Sequence, residues 1–240
     1  MLYFSSDMDT KRRIQANNFY LVLSGIFIAS LVTSNLIFQK FFTWNALGWY
    51  NFEISVGIIP YPVTFLVTDI ISEIYGKKMA HRIVMAGLFA SVFTLLIVLV
   101  ADLSTATPWS PVNDSEFHHV FGVTFIGVGA SMVAYLTAQF IDVQLFHFWK
   151  RLTRGKFLWL RNNASTMTSQ FIDTFTILVL LCSFGLIEWE LFGALLLNGY
   201  LFKVIVAALD TPLIYFITWR FRKYFGLKGL GSELPELVSV

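Results

Sequence analysis

The sequence predicts an all-α integral membrane protein with six transmembrane helices and both termini on the cytoplasmic side. Three observations lead to this prediction: the composition, the number of long apolar runs, and the placement of the basic residues. Of the 240 residues, 56% are hydrophobic, 17% are aromatic and only 13% are charged. So few charged side chains cannot cover a water-soluble surface, and most of the protein surface is therefore expected to face lipid.

Six segments of the chain are long and apolar enough to be transmembrane helices. A helix needs about 20 apolar residues to cross a hydrocarbon core of about 30 Å. The six segments are residues 19–38, 54–75, 83–101, 120–141, 163–186 and 191–216. They predict a transmembrane domain at residues 19–217, with a cytoplasmic N-terminal tail at 1–18 and a cytoplasmic C-terminal tail at 218–240.

The second segment is irregular because Pro60 and Pro62 interrupt it. From Pro62 to Gly76 the chain has 15 residues, which is about 22 Å of helix. We therefore expect the residues before the prolines to be extended or re-entrant. Such backbone is tolerated at membrane depth only where protein or water covers it.

The basic residues predict the orientation, because they concentrate in short cytoplasmic loops. The N-terminal tail, the second loop, the fourth loop and the C-terminal tail contain 15 of the 17 Lys and Arg residues, whereas the alternate loops contain only Lys40. Six spans with both termini inside fit this separation. The basic charge is thus explained by topology, and we expect no nucleic-acid partner.

Polar residues inside the spans are candidates for function, because burying them in lipid is unfavourable. Asp69 and Glu73 share one face of the second segment, four residues apart. Two further stripes have helical spacing: Thr166, Gln170 and Asp173 in the fifth span, and Gly199, Lys203, Ala207 and Asp210 in the sixth. Together they predict a polar central cavity, although a purely structural ion pair of Lys203 with one acid, and Asn35 as a hydrogen bond between helices, remain alternatives.

Two other polar features are interpreted as structural. Asp142 is expected at the membrane interface, and residues 138–142 resemble residues 169–173 by chance or by descent. His118 and His119, near Asp114 and Glu116, are expected to form a solvated loop rather than a metal site.

The chain lacks the common catalytic motifs. It has no phosphate-binding loop, no His-Glu-x-x-His zinc motif and no Gly-x-Ser-x-Gly nucleophile elbow. We therefore expect no catalytic residues, no resident metal and no cofactor. A membrane enzyme using Asp69 and Glu73 on magnesium stays open as an alternative.

Several strings together resemble the bacterial queuosine precursor transporters, a family also described as vitamin uptake transporters. The most specific are Asp-x-x-x-Glu-x-Tyr-Gly at 69–76 and Gln-x-x-Asp-Thr at 170–174. Supporting matches are Asn35 after Thr-Ser, Tyr61-Pro62-Val63-Thr64-Phe65, Arg161 followed by Ser165, and Lys203 upstream of Pro212. The resemblance covers roughly residues 31–212.

The resemblance implies a six-helix importer in the bacterial inner membrane that carries 7-deazaguanines, such as 7-cyano-7-deazaguanine, 7-aminomethyl-7-deazaguanine or queuine. The predicted substrate-binding set is Asn35, Asp69, Glu73, Gln170, Asp173 and Lys203. These residue types suit a guanine-like edge, whose N–H and amino groups can both donate to one carboxylate and whose ring oxygen needs a donor such as Lys203. An aromatic side chain would stack on its flat face.

Other functions remain open at this point. The chain could be a membrane subunit that binds another small vitamin and is energised by a separate ATPase, a membrane enzyme, or a helix scaffold. Both a monomer and a homodimer are compatible with the sequence. Neither the preferred deazaguanine nor coupling to protons is predicted.

Overall fold

The computed structural model describes residues 10–46, 50–122, 124–227 and 232–234. Long helices dominate it, and a short β-hairpin follows the first helix. The elements in chain order are α1 (Thr10–Ile37), β1 (Phe41–Ala46), β2 (Tyr50–Ser55), a 3-10 turn (Val56–Ile58), α2 (Tyr61–Ile74), α3 (Lys77–Asp102), α4 (Asp114–Phe117), a π turn (His118–Gly122), α5 (Thr124–Leu152), α6 (Leu158–Ser183) and α7 (Trp189–Phe225).

Five helical segments have the length and apolarity of membrane spans: Arg12–Ile37, Val56–Ile74, Lys77–Asp102, Leu158–Ser183 and Trp189–Phe225. The other predicted span, residues 120–141, falls mostly on α5, and residue 123 lies outside the described residues. The α-helical membrane class is therefore observed. The count of six spans and the orientation stay predictions.

The predominance of helices is consistent with the all-α class, and residues 41–46 and 50–55 add a short antiparallel pair of strands. Trp44 pairs with Phe52, and Thr43 pairs with Glu53. The extended backbone expected before Pro60 is confirmed for β2. Pairing the two strands satisfies backbone groups that an isolated extended segment would leave open. Ser55 then caps the 3-10 turn by accepting a hydrogen bond from the Gly57 N–H.

The short helix α2 lies in the middle of the bundle. It begins at Tyr61 because Pro62 is in its first turn, where the missing N–H costs no hydrogen bond. It packs against α1, α3, α5 and α7. Apolar residues such as Ile71 and polar ones such as Asp69 and Glu73 are equally buried on it. Protein surrounds this helix, which explains how a short polar segment is tolerated at membrane depth.

The outer helices face lipid instead. On α3 the side chains of Phe89, Phe93 and Val100 are 62 to 69% exposed. A row of large apolar side chains of this kind is expected on a lipid-facing surface. The two ends of the bundle differ in composition. The basic end carries Lys77 and Lys150, where α2 passes into α3, and the hairpin end carries β1 and β2.

Candidate functional site

A cavity of about 160 Å³ lies toward the hairpin end, between α1, the hairpin, α2, α6 and α7. Most of its wall is apolar. The polar residues on it are Ser34, Asn35, Ser55, Tyr61, Ser131, Asp173, Thr174 and Lys203. An apolar cavity with a few convergent polar groups is the usual form of a small-molecule site, and this one is smaller than the ~300–1,000 Å³ of drug-sized pockets.

Asp173 and Lys203 form a buried ion pair on the cavity wall. Lys203 Nζ is 2.6 Å from Asp173 Oδ2 and donates to Thr174 Oγ1 at 3.0 Å. The Tyr61 hydroxyl donates to Asp173 Oδ1 at 2.7 Å, and Lys203 Nζ lies 4.9 Å from the centre of the Tyr61 ring. Both carboxylate oxygens are thus occupied, and the two charges compensate each other in a low-dielectric site.

The close approach of α6 and α7 brings these two charges together. A Cβ atom at Gly199 would lie 3.3 Å from Thr174 Cγ2, so a larger side chain there would press against α6. Gly199 is one turn before Lys203 on α7. A small residue at this point lets the two helices pack closely enough for Lys203 to reach Asp173 and Thr174.

Asn35 contributes a buried hydrogen-bond donor on the same wall. Ser131 Oγ donates to Asn35 Oδ1 at 2.9 Å, which orients the amide. Asn35 Nδ2 has no hydrogen-bond partner among the described residues, although Asn35 is only 7% exposed. A buried donor without a partner on a cavity wall is a place where a ligand acceptor can bind.

Asp69 and Gln170 lie behind the cavity and not on its wall. Thr166 donates to Asp69 Oδ2 at 3.3 Å, and the Asp142 carboxyl lies nearby. Gln170 is 3% exposed, and its Oε1 atom has no partner within the described part of the chain. Asp142 is fully buried within the protein and accepts a hydrogen bond from Ser169 at 2.9 Å, while its position at the membrane interface stays a prediction.

Glu73 belongs to a charged cluster at the basic end. Its carboxylate is 2.7 Å from Arg161, 3.1 Å from Arg222 and 3.4 Å from Lys150. The residue is 3% exposed. It is absent from the wall of the cavity that holds Asp173 and Lys203. The structure therefore brings together three of the six predicted site residues, Asn35, Asp173 and Lys203.

A segment of the C-terminal tail packs on this cluster. Glu233 Oε1 is 2.9 Å from Lys150 Nζ, and the Leu234 N–H donates to the carbonyl oxygen of Ile74 at 2.7 Å. Leu234 is buried. Between the cavity and this end, Asp69, Asp142 and Gln170 are at most 3% exposed. The cavity is thus separated from the basic end by packed protein.

Comparison with known proteins gives a consistent result. Residues 55–217 match the model of a family described as "Putative vitamin uptake transporter". The "Probable queuosine precursor transporter" of Bacillus subtilis (strain 168) is 27% identical over 167 residues, which are 69% of this chain and 72% of that protein.

Two further relatives carry similar names. The "Queuosine precursor transporter" of Escherichia coli (strain K12) is 29% identical over 124 residues, 52% of this chain and 53% of that protein. The "Probable queuosine precursor transporter" of Haemophilus influenzae is 27% identical over 173 residues, 71% of this chain and 70% of that protein. No solved structure matches the chain.

Proposed function

We propose that this chain, which belongs to the vitamin uptake transporter family, imports queuosine precursors of the 7-deazaguanine class across the bacterial inner membrane. Its relatives are named as transporters and not as enzymes. The observation that carries the proposal is the buried Asp173–Lys203 pair on the wall of a small cavity inside a helical membrane protein.

The cavity offers the groups that a guanine-like edge requires. The adjacent N–H and amino groups of the ligand would donate to Asp173, and Lys203 or the Asn35 amide would donate to its ring oxygen. Tyr61 lines the same cavity and supplies an aromatic face for stacking. In the ligand-free arrangement Lys203 and Tyr61 hold the carboxylate; binding exchanges the Lys203 contact for contacts with the ligand, whereas Tyr61 keeps orienting the carboxylate.

The arrangement supports alternating access with the cavity open toward the hairpin end. The positive-inside rule places the basic end, and both termini, in the cytoplasm. The packed residues around Asp69, Asp142 and Gln170 then separate the cavity from the cytoplasmic side, which makes this an outward-facing state. Transport requires a second state, in which the hairpin end closes and the basic end opens.

The alternative functions receive less support from the geometry. An enzyme using Asp69 and Glu73 on magnesium needs both carboxylates at one ion, but three cations surround Glu73, whereas Asp69 accepts a hydrogen bond from Thr166 of α6. Among the described residues there is no group of three or more metal-ligating side chains of the His, Cys, Asp or Glu type. A subunit energised by a separate ATPase would transport only in the presence of that ATPase, and uptake measured without it tests this alternative.

The test is uptake of radiolabelled 7-cyano-7-deazaguanine by cells that cannot synthesise it, with this gene and without a co-expressed ATPase. We expect accumulation that Asp173→Asn and Lys203→Met each reduce at least tenfold. Asp173→Asn presents a donor to the donors of the ligand, and Lys203→Met removes a donor. Glu190→Gln and Lys156→Gln, at exposed positions outside the cavity, are the matched controls and should transport normally. Absence of uptake in the wild type would overturn the proposal.

A double replacement separates ligand binding from a structural ion pair. Removing both members of a buried pair can be nearly neutral for stability. We therefore expect Asp173→Leu with Lys203→Met to fold, as measured by its thermal unfolding, and to be inactive. Full uptake by this double variant would show that the pair only holds α6 and α7 together.

A further inference from the structure

Two buried acids meet between α2 and α5, deeper in the bundle than the cavity. Asp69 is 2% exposed and Asp142 is fully buried. Both are anchored on one turn of α6, where Thr166 donates to Asp69 and Ser169 donates to Asp142. Two ionised carboxylates buried this near each other without water would repel each other, so we expect at least one of the two acids to hold a proton.

The remaining contacts of the pair leave two oxygen atoms for that proton. Thr166 donates to Asp69 Oδ2 at 3.3 Å, and Ser169 donates to Asp142 Oδ1 at 2.9 Å. Asp69 Oδ1 and Asp142 Oδ2 are buried, and neither receives a hydroxyl or amide hydrogen bond of acceptable geometry from the described residues. Each acid is thus anchored through one oxygen and has the other available to share a proton.

The surrounding charges do not neutralise the pair. On α5 and α6, Lys150 and Arg161 are paired with Glu73 of α2, and on α7 Lys203 is paired with Asp173 of α6. Within the described part of the chain no Lys or Arg forms a salt bridge with Asp69 or Asp142. Asp210 on α7 lies near Asp69 and is itself an acid. Of the other titratable groups on α3 and α5, His81 stacks on Phe140, and Tyr135 and His147 are buried. A proton is therefore the cation that the structure leaves for the pair.

Unpartnered polar groups connect the pair with the cavity. Gln139 is one turn before Asp142, and Gln170 lies one turn from Thr166 on one side and from Asp173 on the other. Both side chains are at least 97% buried, and neither Oε1 atom has a partner among the described residues. Polar groups with unused hydrogen-bonding capacity can hold the water molecules that move a proton through protein.

We propose that Asp69 and Asp142 form a proton-binding site that couples import to proton entry. The proposal rests on the proposed function. A proton from the cavity side binds one carboxylate oxygen and is shared with the other acid, which lets α2 and α5 stay in contact. When the basic end opens, the proton is transferred to water on the cytoplasmic side. The two carboxylates then repel each other until a new proton arrives, so each cycle moves substrate and proton together.

The experiment uses the purified full-length chain in liposomes and radiolabelled 7-cyano-7-deazaguanine. Exchange of labelled for unlabelled compound without any gradient tests the proposed function itself, and absence of exchange would overturn that function and this inference together. If exchange occurs, a gradient of one pH unit, acidic outside, should drive up to about tenfold accumulation for one proton per substrate. Exchange without any effect of the pH gradient would overturn only the proton site.

Two variants assign the effect to the pair. Asparagine keeps the shape and a donor of the protonated acid, so Asp69→Asn and Asp142→Asn should retain exchange within about twofold. Both should lose accumulation driven by the pH gradient. Glu190→Gln, an exposed acid, is the control and should accumulate like the wild type. Accumulation that persists in both asparagine variants would show that the pair is only structural.

Two further measurements do not depend on the variants. A sodium gradient that replaces the pH gradient as the driving force would assign the site to sodium and overturn the proton proposal. In the infrared spectrum of the wild type at neutral pH, we expect a carboxylic acid band from a protonated side chain. Absence of that band would overturn the proposal even if neither variant could be purified.

Discussion

Glu73 is expected to hold the basic end of the bundle together, and Glu73→Gln tests this directly. The carboxylate is 2.7 Å from Arg161, which is only 1% exposed, and it also contacts Arg222 and Lys150. The substitution keeps the size of the side chain and removes its charge. It takes this carboxylate away from three cations, of which Lys150 also forms a salt bridge with Glu233.

The size of the expected loss of stability depends on how completely each charge of the cluster is buried. Breaking a buried ion pair by removing one partner costs about 3–5 kcal/mol, because the other charge stays buried without compensation. Of the three cations, Arg161 is the most completely buried, with 2% of its side chain exposed against 8% for Lys150. The Arg222 side chain is 18% exposed, so its contact with Glu73 contributes less. The glutamine can still accept one hydrogen bond from Arg161. We therefore expect a loss near 3 kcal/mol, which lowers the unfolding temperature of a chain of this size by roughly 6–12 °C.

The assay is thermal unfolding of the purified protein in detergent at one scan rate, combined with uptake. Arg161→Gln in the Glu73→Gln background should recover part of the loss, and the double-mutant cycle gives the coupling between the two residues. Glu190→Gln is the control and should unfold like the wild type. If Glu73→Gln unfolds within about 2 °C of the wild type and loses uptake, the reasoning is refuted. Glu73 would then act on the ligand, in agreement with its place in the predicted substrate-binding set.

Three further predictions concern other parts of the molecule. Tyr61→Phe removes the donor to Asp173 and should raise the half-saturating substrate concentration about fivefold, since one hydrogen bond contributes about 1 kcal/mol; an unchanged value in saturation uptake would contradict a role in the site. Gly57→Ala should lower the unfolding temperature, because the new Cβ would lie 2.7 Å from the Ser34 carbonyl oxygen, whereas Gly25→Ala, which meets nothing within 4 Å, should not. In a background without Cys182, single cysteines that replace Asn45 or Glu188 should react with a thiol reagent added outside intact cells, and one that replaces Arg154 should not. Labelling of the cysteine at position 154 would reverse the proposed orientation.

The helical membrane class could be predicted because lipid imposes a simple requirement on composition. Long apolar runs must be helical when no water is present to satisfy the backbone. The pairing of β1 with β2 could not be predicted, because both strands are short and aromatic and their pairing depends on contacts with distant parts of the chain. Trp44 packs edge-on against Phe202 of α7 with ring centres 5.4 Å apart, a contact across more than half of the chain.

The site, too, could be predicted from the sequence only in part. Asp173 and Lys203 could be paired from their similar depth, because neither charge is stable alone in lipid. Glu73 and Asp69 were grouped because they share one helix face, yet their partners come from different places. Arg161 and Lys150 lie at the basic end, and Asp142 lies on α5. Spacing along one helix shows which side chains are neighbours, but not what faces them across the bundle. The repeated Gln-Phe-Ile-Asp string, which ends at Asp142 and at Asp173, was the one sequence feature that marked Asp142.

Charge balance in the cavity also bears on which 7-deazaguanine is preferred. Asp173 and Lys203 are the only charged residues on its described wall, and they neutralise each other. A neutral ligand such as 7-cyano-7-deazaguanine preserves this balance. The ammonium group of 7-aminomethyl-7-deazaguanine would add a positive charge with no second acid on that wall to compensate it. We therefore expect the cyano compound to compete for uptake at least tenfold more strongly than the aminomethyl compound. Preference for the aminomethyl compound would mean that a further acid reaches the ligand in the bound state, and Asp69 would be the first candidate.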